Sequence, residues 1–421
     1  VIILNINALY KRNKIINSLV SITRTDQSLL TPFLSEKKYS LNNIINSEIS
    51  NLINNIEHSI SNKNYQEIVL KNSPKISHYD HHNGGSFLSY DFHITSNGPK
   101  LIEINTNAGG ALLFSEYLKI KYRELNEKEY FIKFSKIQNC FIDMLTNEFK
   151  LQFPNKKLKT VAIVDLKPLH QPLLPELNLF RKYLRSINIE AFILDPEELT
   201  LQNNEIYYDN IKIDLIYNRL TDFYFEEHYS RKIKTAYLLG TVSVTPNPRY
   251  HALYASKSNL SIFSNKNTAS NFHFSDNKVS EFVKKIPFTT LVTSENSSEL
   301  WFTRRNLFFK PTSGYGGKAV YRGKGITKKV WRMITRGNYV AQKYIPAEIK
   351  TYGNKSYKSD LRAYVYLGEI LFLAARLYNG QTTNFSSKGG GFAEVVFNNS
   401  PVNFNKPLLN KESIKPKQVI N

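Results

Sequence analysis

Apolar residues recur at Leu41, Ile44, Ile45, Ile49, Leu52, Ile53 and Ile56, three and four positions apart, and this spacing predicts an amphipathic helix over 41–60 with its stripe against a core. The pattern then changes. Segments 87–94 and 100–104 read as strands joined by Thr95-Ser96-Asn97-Gly98-Pro99, a composition that turns the chain back as a hairpin. Helical spacing returns over 110–121 and 127–149 and stops before Pro154 and a lysine-rich turn. Beyond it, strand 160–164, helix 173–186 and strand 191–194 form a strand-helix-strand unit, and apolar runs at 213–217 and 241–245 bracket a helix over 225–239. The chain thus divides into 1–157, a small open α/β lobe over 158–250, and 251–421, where short helices mix with paired strands and two glycine-rich loops.

Composition supports a folded chain of more than one lobe. With 421 residues, 41% hydrophobic and with 26 Tyr and 26 Phe, the chain exceeds a single core and is too rich in core-forming residues for disorder. The formal charge of +21, from 56 basic and 35 acidic residues, is spread out. Short clusters such as Lys156-Lys157, Arg304-Arg305 and Lys328-Lys329 form no basic arm or nucleic-acid motif; by number alone the charge does not separate nucleic acid, an anionic membrane and a Lys-rich proteome, and its positive field would in any case favour a polyanion. The single cysteine, Cys140, excludes an intrachain disulfide and a thiolate metal cluster and fits a reducing cytoplasm. Val1-Ile2-Ile3-Leu4 is too short for a signal-peptide core, and no run of roughly 18 apolar residues marks a membrane helix.

The hairpin carries the first candidate chemistry. Side chains two apart on a strand share a face, so Glu103 and Asn105 point the same way and the turn brings Asp91 beside them. An all-oxygen pocket suits magnesium, which keeps several waters and binds substrate phosphates through one or two carboxylates. The alternative is an ordinary hairpin with a solvated polar face. Thr106-Asn107-Ala108-Gly109-Gly110 follows directly, a small-residue turn into a helix whose first N–H groups are expected to face an anion.

Phe308-Phe309-Lys310-Pro311-Thr312-Ser313-Gly314-Tyr315-Gly316-Gly317-Lys318 delivers a lysine to the mouth of a glycine loop, with a returning strand expected over 319–321. Lys310 there can pair with phosphates while Gly314, Gly316 and Gly317 let the loop close over them. The stretch is not a Walker sequence, which needs Gly-Lys-Ser/Thr opening a helix. A third run holds Asp360-Leu361-Arg362, then Arg376 on the next strand, then Gln381-Thr382-Thr383-Asn384 and a second glycine loop at Gly389-Gly390-Gly391. Arg376 suits the point where negative charge builds on a transferring phosphoryl group, the alternative being that Arg362 and Arg376 pair with Asp360 and Glu369 on a solvated face.

Together these constellations resemble the ATP-grasp superfamily. The Lys310 loop resembles its phosphate-covering loop, Val340-Ala341-Gln342-Lys343-Tyr344-Ile345 its hinge strand to the adenine, residues 360–391 its arginine-asparagine-glycine run, and Glu103-Ile104-Asn105-Thr106 its metal-binding strand. The metal strand precedes the glycine loop here, a permuted order that resembles glutathionylspermidine synthases and eukaryotic-type glutathione synthetases. In the former an aspartate stands twelve residues before the glutamate, as Asp91 stands before Glu103, and both groups place an α/β lobe between metal strands and lysine loop. Ala255-Ser256-Lys257-Ser258 resembles their second nucleotide-contacting lysine. Where the synthases carry a substrate-holding arginine two residues before the aspartate, this chain has Ser89, and the glutamate of their lysine loop is absent.

The resemblance implies a circularly permuted ATP-grasp fold with an inserted α/β lobe and a cofactor pair of ATP and magnesium. Magnesium would be held by Asp91, Glu103 and Asn105, and ATP by Lys257, Lys310, Gly314, Gly316, Gly317, Gln342, Asn384, Gly389 and Gly390. It further implies ligation of a small-molecule or peptide carboxylate to an amine or thiol through an acyl phosphate, with Arg376 catalytic; a kinase or a degenerate nucleotide-binding module are the alternatives. Candidate substrate contacts are Ser89, together with Arg219, Arg249 and His251, which follow predicted strands of the α/β lobe at the ends where ligands bind in open sheets. Asp222 shares the Arg219 loop. His78-Tyr79-Asp80-His81-His82 fits compact metal geometry poorly, its histidines being neighbours, and is expected to rim the magnesium pocket.

Overall fold

The computed structural model describes residues 2–272, 276–314, 317, 319–385 and 387–398. The helix expected over 41–60 runs Asn43–Ser61 and buries Ile49, Leu52, Ile53 and Ile56. Asn42 caps it, its side chain accepting from the Ile44 backbone N–H at 2.8 Å, which leaves Leu41 to the preceding strand Leu34–Asn42.

The hairpin forms as expected from strands Leu88–Thr95 and Gly98–Asn105, with Asp91 directly opposite Glu103. Register then slips: Phe92 pairs with Leu101, so Ile102 is an extra residue, a bulge that turns its backbone out of the ladder. Lys355–Tyr366 pairs with the hairpin, then Glu369–Tyr378 and Gly391–Asn398, and Leu34–Asn42 closes the far edge in parallel. With Glu348–Tyr352 alongside, the sheet has seven strands, drawn from both ends of the chain.

Alternation decides what each face of this sheet does. Tyr90, Phe92, Leu361, Ala363 and Val365 enter a core shared with helix Asn43–Ser61. Ser89, Asp91, Asp360 and Arg362, one position out of phase, face the other way. On that side a second core, begun by Tyr364 and Tyr366, runs through helices Ala111–Glu124 and Lys128–Gln152 into Val161, Ile163, Phe180 and Tyr217. Apolar packing is therefore continuous across residue 158.

The α/β unit has four parallel strands in the order 243–245, 215–218, 160–164, 190–194. The helix expected over 225–239 starts only at Arg231, because Asp222 accepts from the Glu226 and Glu227 N–H groups, both at 2.9 Å, and holds the preceding stretch as a loop. Asp222 thus serves its own loop. A three-stranded sheet spans Thr200–Gln202, Glu205–Tyr208 and Ile211–Lys212. Its turns, Asn203-Asn204 and Asp209-Asn210, take positive φ at both residues, the hairpin turn that Asn and Asp favour.

A further sheet, Thr289–Leu291, Tyr339–Lys343, Leu307–Pro311 and Tyr321–Arg322, carries the glycine loop. The returning strand expected over 319–321 is a two-residue pairing at 321–322, where Tyr321 meets Phe309. Ala319, at φ 56°, is in left-handed conformation and delays the return. Among the described residues no helix is long and apolar enough to cross a membrane.

Candidate active site

A cavity of about 540 Å³ lies between the polar face of the large sheet and the lysine-bearing sheet. Lys310 leaves its strand and reaches 3.9 Å from Glu103 Oε2, while Lys257 donates to the Gly314 carbonyl at 2.9 Å. The bulge joins the two sheets: the Ile102 carbonyl accepts from Lys310 Nζ at 3.4 Å and Gln342 Nε2 at 3.3 Å. Lys257, Lys310, Gly314, Gly317, Gln342 and Asn384 all line the cavity. Gly316 lies outside the described residues.

Asp91, Glu103 and Asn105 converge. Asn105 Nδ2 stands 3.4 Å from each of Ser89 Oγ, Asp91 Oδ2 and Glu103 Oε1. Three oxygens around one weakly bonded amide fit a hard cation with oxygen ligands. Among the described residues no three of His, Cys, Asp and Glu are grouped to hold a metal, so an ion here would have two carboxylates and an amide.

Asp91 has other partners as well. Arg362, its direct cross-strand neighbour, donates Nε to Oδ1 and Nη2 to Oδ2, both at 2.7 Å, and Arg376 Nη2 donates to Oδ2 at 2.9 Å. Arg376 Nε donates to Asp360 Oδ1 at 2.6 Å, and Thr383 holds Asp360 Oδ2 at 2.6 Å. Burial alone would raise the Asp91 pKa, but the two guanidinium groups hold it down at about 2. Glu103 is half-buried, and Lys310 and Lys257 keep its pKa below the usual range against the desolvation that would raise it. Burial and Lys257 lower the Lys310 pKa against the pull of Glu103. Arg376 therefore does pair with Asp360 on the neighbouring strand, but both arginines belong to a buried network around Asp91 and not to a solvated face.

The helix expected to offer its N-terminus to an anion is already occupied. Glu176, from helix Leu174–Ser186, accepts from the backbone N–H groups of Gly110 at 2.8 Å, Leu112 at 2.9 Å and Leu113 at 3.4 Å. The protein's own carboxylate satisfies those donors. Arg219 belongs to the same knot: buried off the cavity, it donates to the Ala108 carbonyl at 3.3 Å, and Asn107 donates to the Arg219 carbonyl at 2.6 Å. Arg219 thus fixes the 106–110 turn, and the switch-point crevice holds a segment of this chain.

The other candidates separate. His251 lines the cavity, stacked on Phe223 with ring centres 3.8 Å apart and Nδ1 3.0 Å from Thr106 Oγ1; burial pushes its pKa down to about 3, aided by Lys257. Ser89 is buried beside Asp91 and Asn105 but is not part of the cavity wall. Arg249 lies away from it, 3.2 Å from Asp80 and 3.1 Å from Gln66. The His78–His82 segment does not rim the pocket: His78 bonds the Leu70 carbonyl at 2.9 Å, and His81 meets the Tyr237 ring edge-on, because the segment packs on the α/β unit. Gly389 and Gly390 also stand off the wall; Lys37 donates to the Gly389 carbonyl at 2.8 Å, and a Cβ on Gly390 would meet the Leu377 carbonyl at 2.3 Å. Their small size serves a tight turn against neighbouring backbone. Arg362, Asp360 and Thr383 join the network as well, and the only sequence signal for them is the two-residue period of Asp360-Leu361-Arg362, which puts both charges on one face.

No family model and no curated protein matches the sequence. Among solved structures, the chain resembles a glutathione synthetase-like effector from Globodera pallida in its apo form, with TM-score 0.55 and 10% identity over 91% of this chain and 97% of that one. A putative gamma-glutamylcysteine synthetase from Methylobacillus flagellatus KT matches with TM-score 0.49 and 9% identity over 86% and 89%. The ATP-grasp ligase PsnB with a minimal precursor matches with TM-score 0.31 and 10% identity over 57% and 89%. At such identity the first likeness is one of fold: this chain shares the fold of that glutathione synthetase-like effector, a divergent ATP-grasp-like fold.

Proposed function

We propose that the chain is an ATP- and magnesium-dependent ligase that joins a small-molecule or peptide carboxylate to an amine or thiol through an acyl phosphate. The observation that carries this reading is the convergence of Lys257, Lys310 and Arg376 with Asp91, Glu103 and Asn105 on one cavity from segments far apart in sequence. On this reading the adenine lies along 340–345 near Gln342, and Lys257 and Lys310 pair with the phosphates. A magnesium ion held by Asp91, Glu103 and Asn105 would neutralise phosphate charge. Parts stand in permuted order, the metal hairpin ahead of the lysine strand.

In the first step a substrate carboxylate oxygen attacks the γ-phosphorus, the bond to ADP breaks, and an acyl phosphate forms. Arg376, buried and fixed by Asp360, is preorganised beside the charge that builds there. In the second step the nucleophile attacks the carbonyl carbon, phosphate leaves, and the nucleophile's proton passes to solvent. Loop residues Gly314 and Gly317 line the cavity and let backbone approach the nucleotide, excluding water from the intermediate.

The test is incubation of the full chain with ATP, magnesium and mixed amino acids. Phosphate release that needs both a carboxylate and an amine is the expected result; ADP with a stable phosphorylated product instead marks a kinase. Glu103→Gln should lower turnover by about two orders of magnitude or more, since several kcal/mol of charge stabilisation are removed. Undiminished phosphate release in that variant would remove Glu103 from the metal site.

A further inference from the structure

The metal-site aspartate is closed in this structure. Both Asp91 oxygens carry charge-assisted hydrogen bonds, and Arg362 commits Nε and Nη2 to them at 2.7 Å. Arg376 differs, because its Nε has Asp360 as a partner and only Nη2 touches Asp91. Across the cavity, the carboxylates of Asp91, Glu103 and Asp360 face six lysines and arginines. A bare divalent cation entering here would add charge to a wall already in cationic excess. It would also have to take Asp91 from two buried guanidinium groups, stripping Arg362 of its carboxylate and leaving Arg376 with Asp360 alone. A polyphosphate reverses both terms, since it brings the missing negative charge and offers the arginines new oxygen acceptors.

We propose that Arg362 is a positioning residue that holds Asp91 away from a metal ion until a polyphosphate enters, so that metal and nucleotide bind together and the free ion binds weakly. The proposal rests on the nucleotide site proposed above. Its consequence is strong positive coupling between the two ligands, which by thermodynamic reciprocity appears in the affinity of each. Removing the Arg362 fork should open Asp91 and weaken that coupling.

The experiment uses the full chain and Mn²⁺, read by its electron paramagnetic resonance signal, with and without ADP. ADP binding without metal is measured separately by calorimetry. In the unmodified protein, Mn²⁺ should bind about tenfold or more tighter with ADP present, a coupling of ordinary allosteric size. In Arg362→Gln, nucleotide-free Mn²⁺ affinity should rise by a similar factor, a gain that a merely disrupted fold does not produce. Arg362→Lys keeps the charge, loses the two-nitrogen fork, and should gain part of that affinity; it decides the matter if the glutamine variant does not fold. Equal Mn²⁺ affinity with and without ADP, while ADP itself binds, overturns this inference and leaves the nucleotide site standing. Folded Arg362 variants with no gain overturn it too. Absence of any ADP binding removes the nucleotide site and the inference together.

Discussion

His251 illustrates how a single buried side chain sets a property of the whole. Its pKa falls from an ordinary 6.5 to about 3 because burial excludes the charged ring and Lys257 repels it. The folded chain therefore binds a proton at His251 less readily than the unfolded chain does. The stability this gives is fully present above pH 6.5 and drains away as pH falls from there towards 3, at up to about 1.4 kcal/mol per pH unit. Urea denaturation of the parent and of His251→Gln between pH 7 and 4.5 isolates the effect. The parent should lose stability more steeply, and parallel curves would mean that the imidazole is not excluded from protonation.

At the scale of the element, the helix Ala111–Glu124 owes its start to a carboxylate from a different part of the chain. Glu176→Ala leaves buried N–H groups without acceptors and should cost about 3 kcal/mol or more. Glu176→Gln retains one amide oxygen and should cost less. Added phosphate should restore part of the alanine variant's loss by occupying the vacated terminus. An unchanged urea midpoint for Glu176→Ala would show that the terminus is satisfied otherwise. This partner also marks where sequence reading stopped. Hairpin, helices and parallel strands were legible because their signals are local: the period of apolar residues and the turn composition. The pairing of Asp91 with Glu103 was legible too, since it needed only a hairpin. That Glu176 fills the 110 turn, or that Arg362 lies beside Asp91, depends on contacts between distant segments, which no local pattern encodes. Asn203-Asn204 and Asp209-Asn210 are the reverse case, turns whose signal is wholly local.

The whole molecule is less divided than three runs of sequence suggest. One face of the parallel sheet, with Val161, Ile163 and Tyr217, belongs to the core built by helices Ala111–Glu124 and Lys128–Gln152. Residues 158–250 produced alone would expose that face to water, and calorimetry should find no cooperative unfolding transition for the fragment. A sharp transition would establish a self-sufficient domain.

The seven-stranded sheet takes Leu34–Asn42 from near the start of the chain and Gly391–Asn398 from near the end, so that Ser40 bonds to Asn398 across a separation of 358 residues. On the ribosome, the early strand and the 88–105 hairpin are made long before their partners emerge. At roughly 5–20 residues per second the wait is tens of seconds, with β-edges unpaired and half of the cavity wall already formed. The wall around Asp91 is completed only when Arg362 and Arg376 arrive, 271 and 285 residues behind the aspartate they meet.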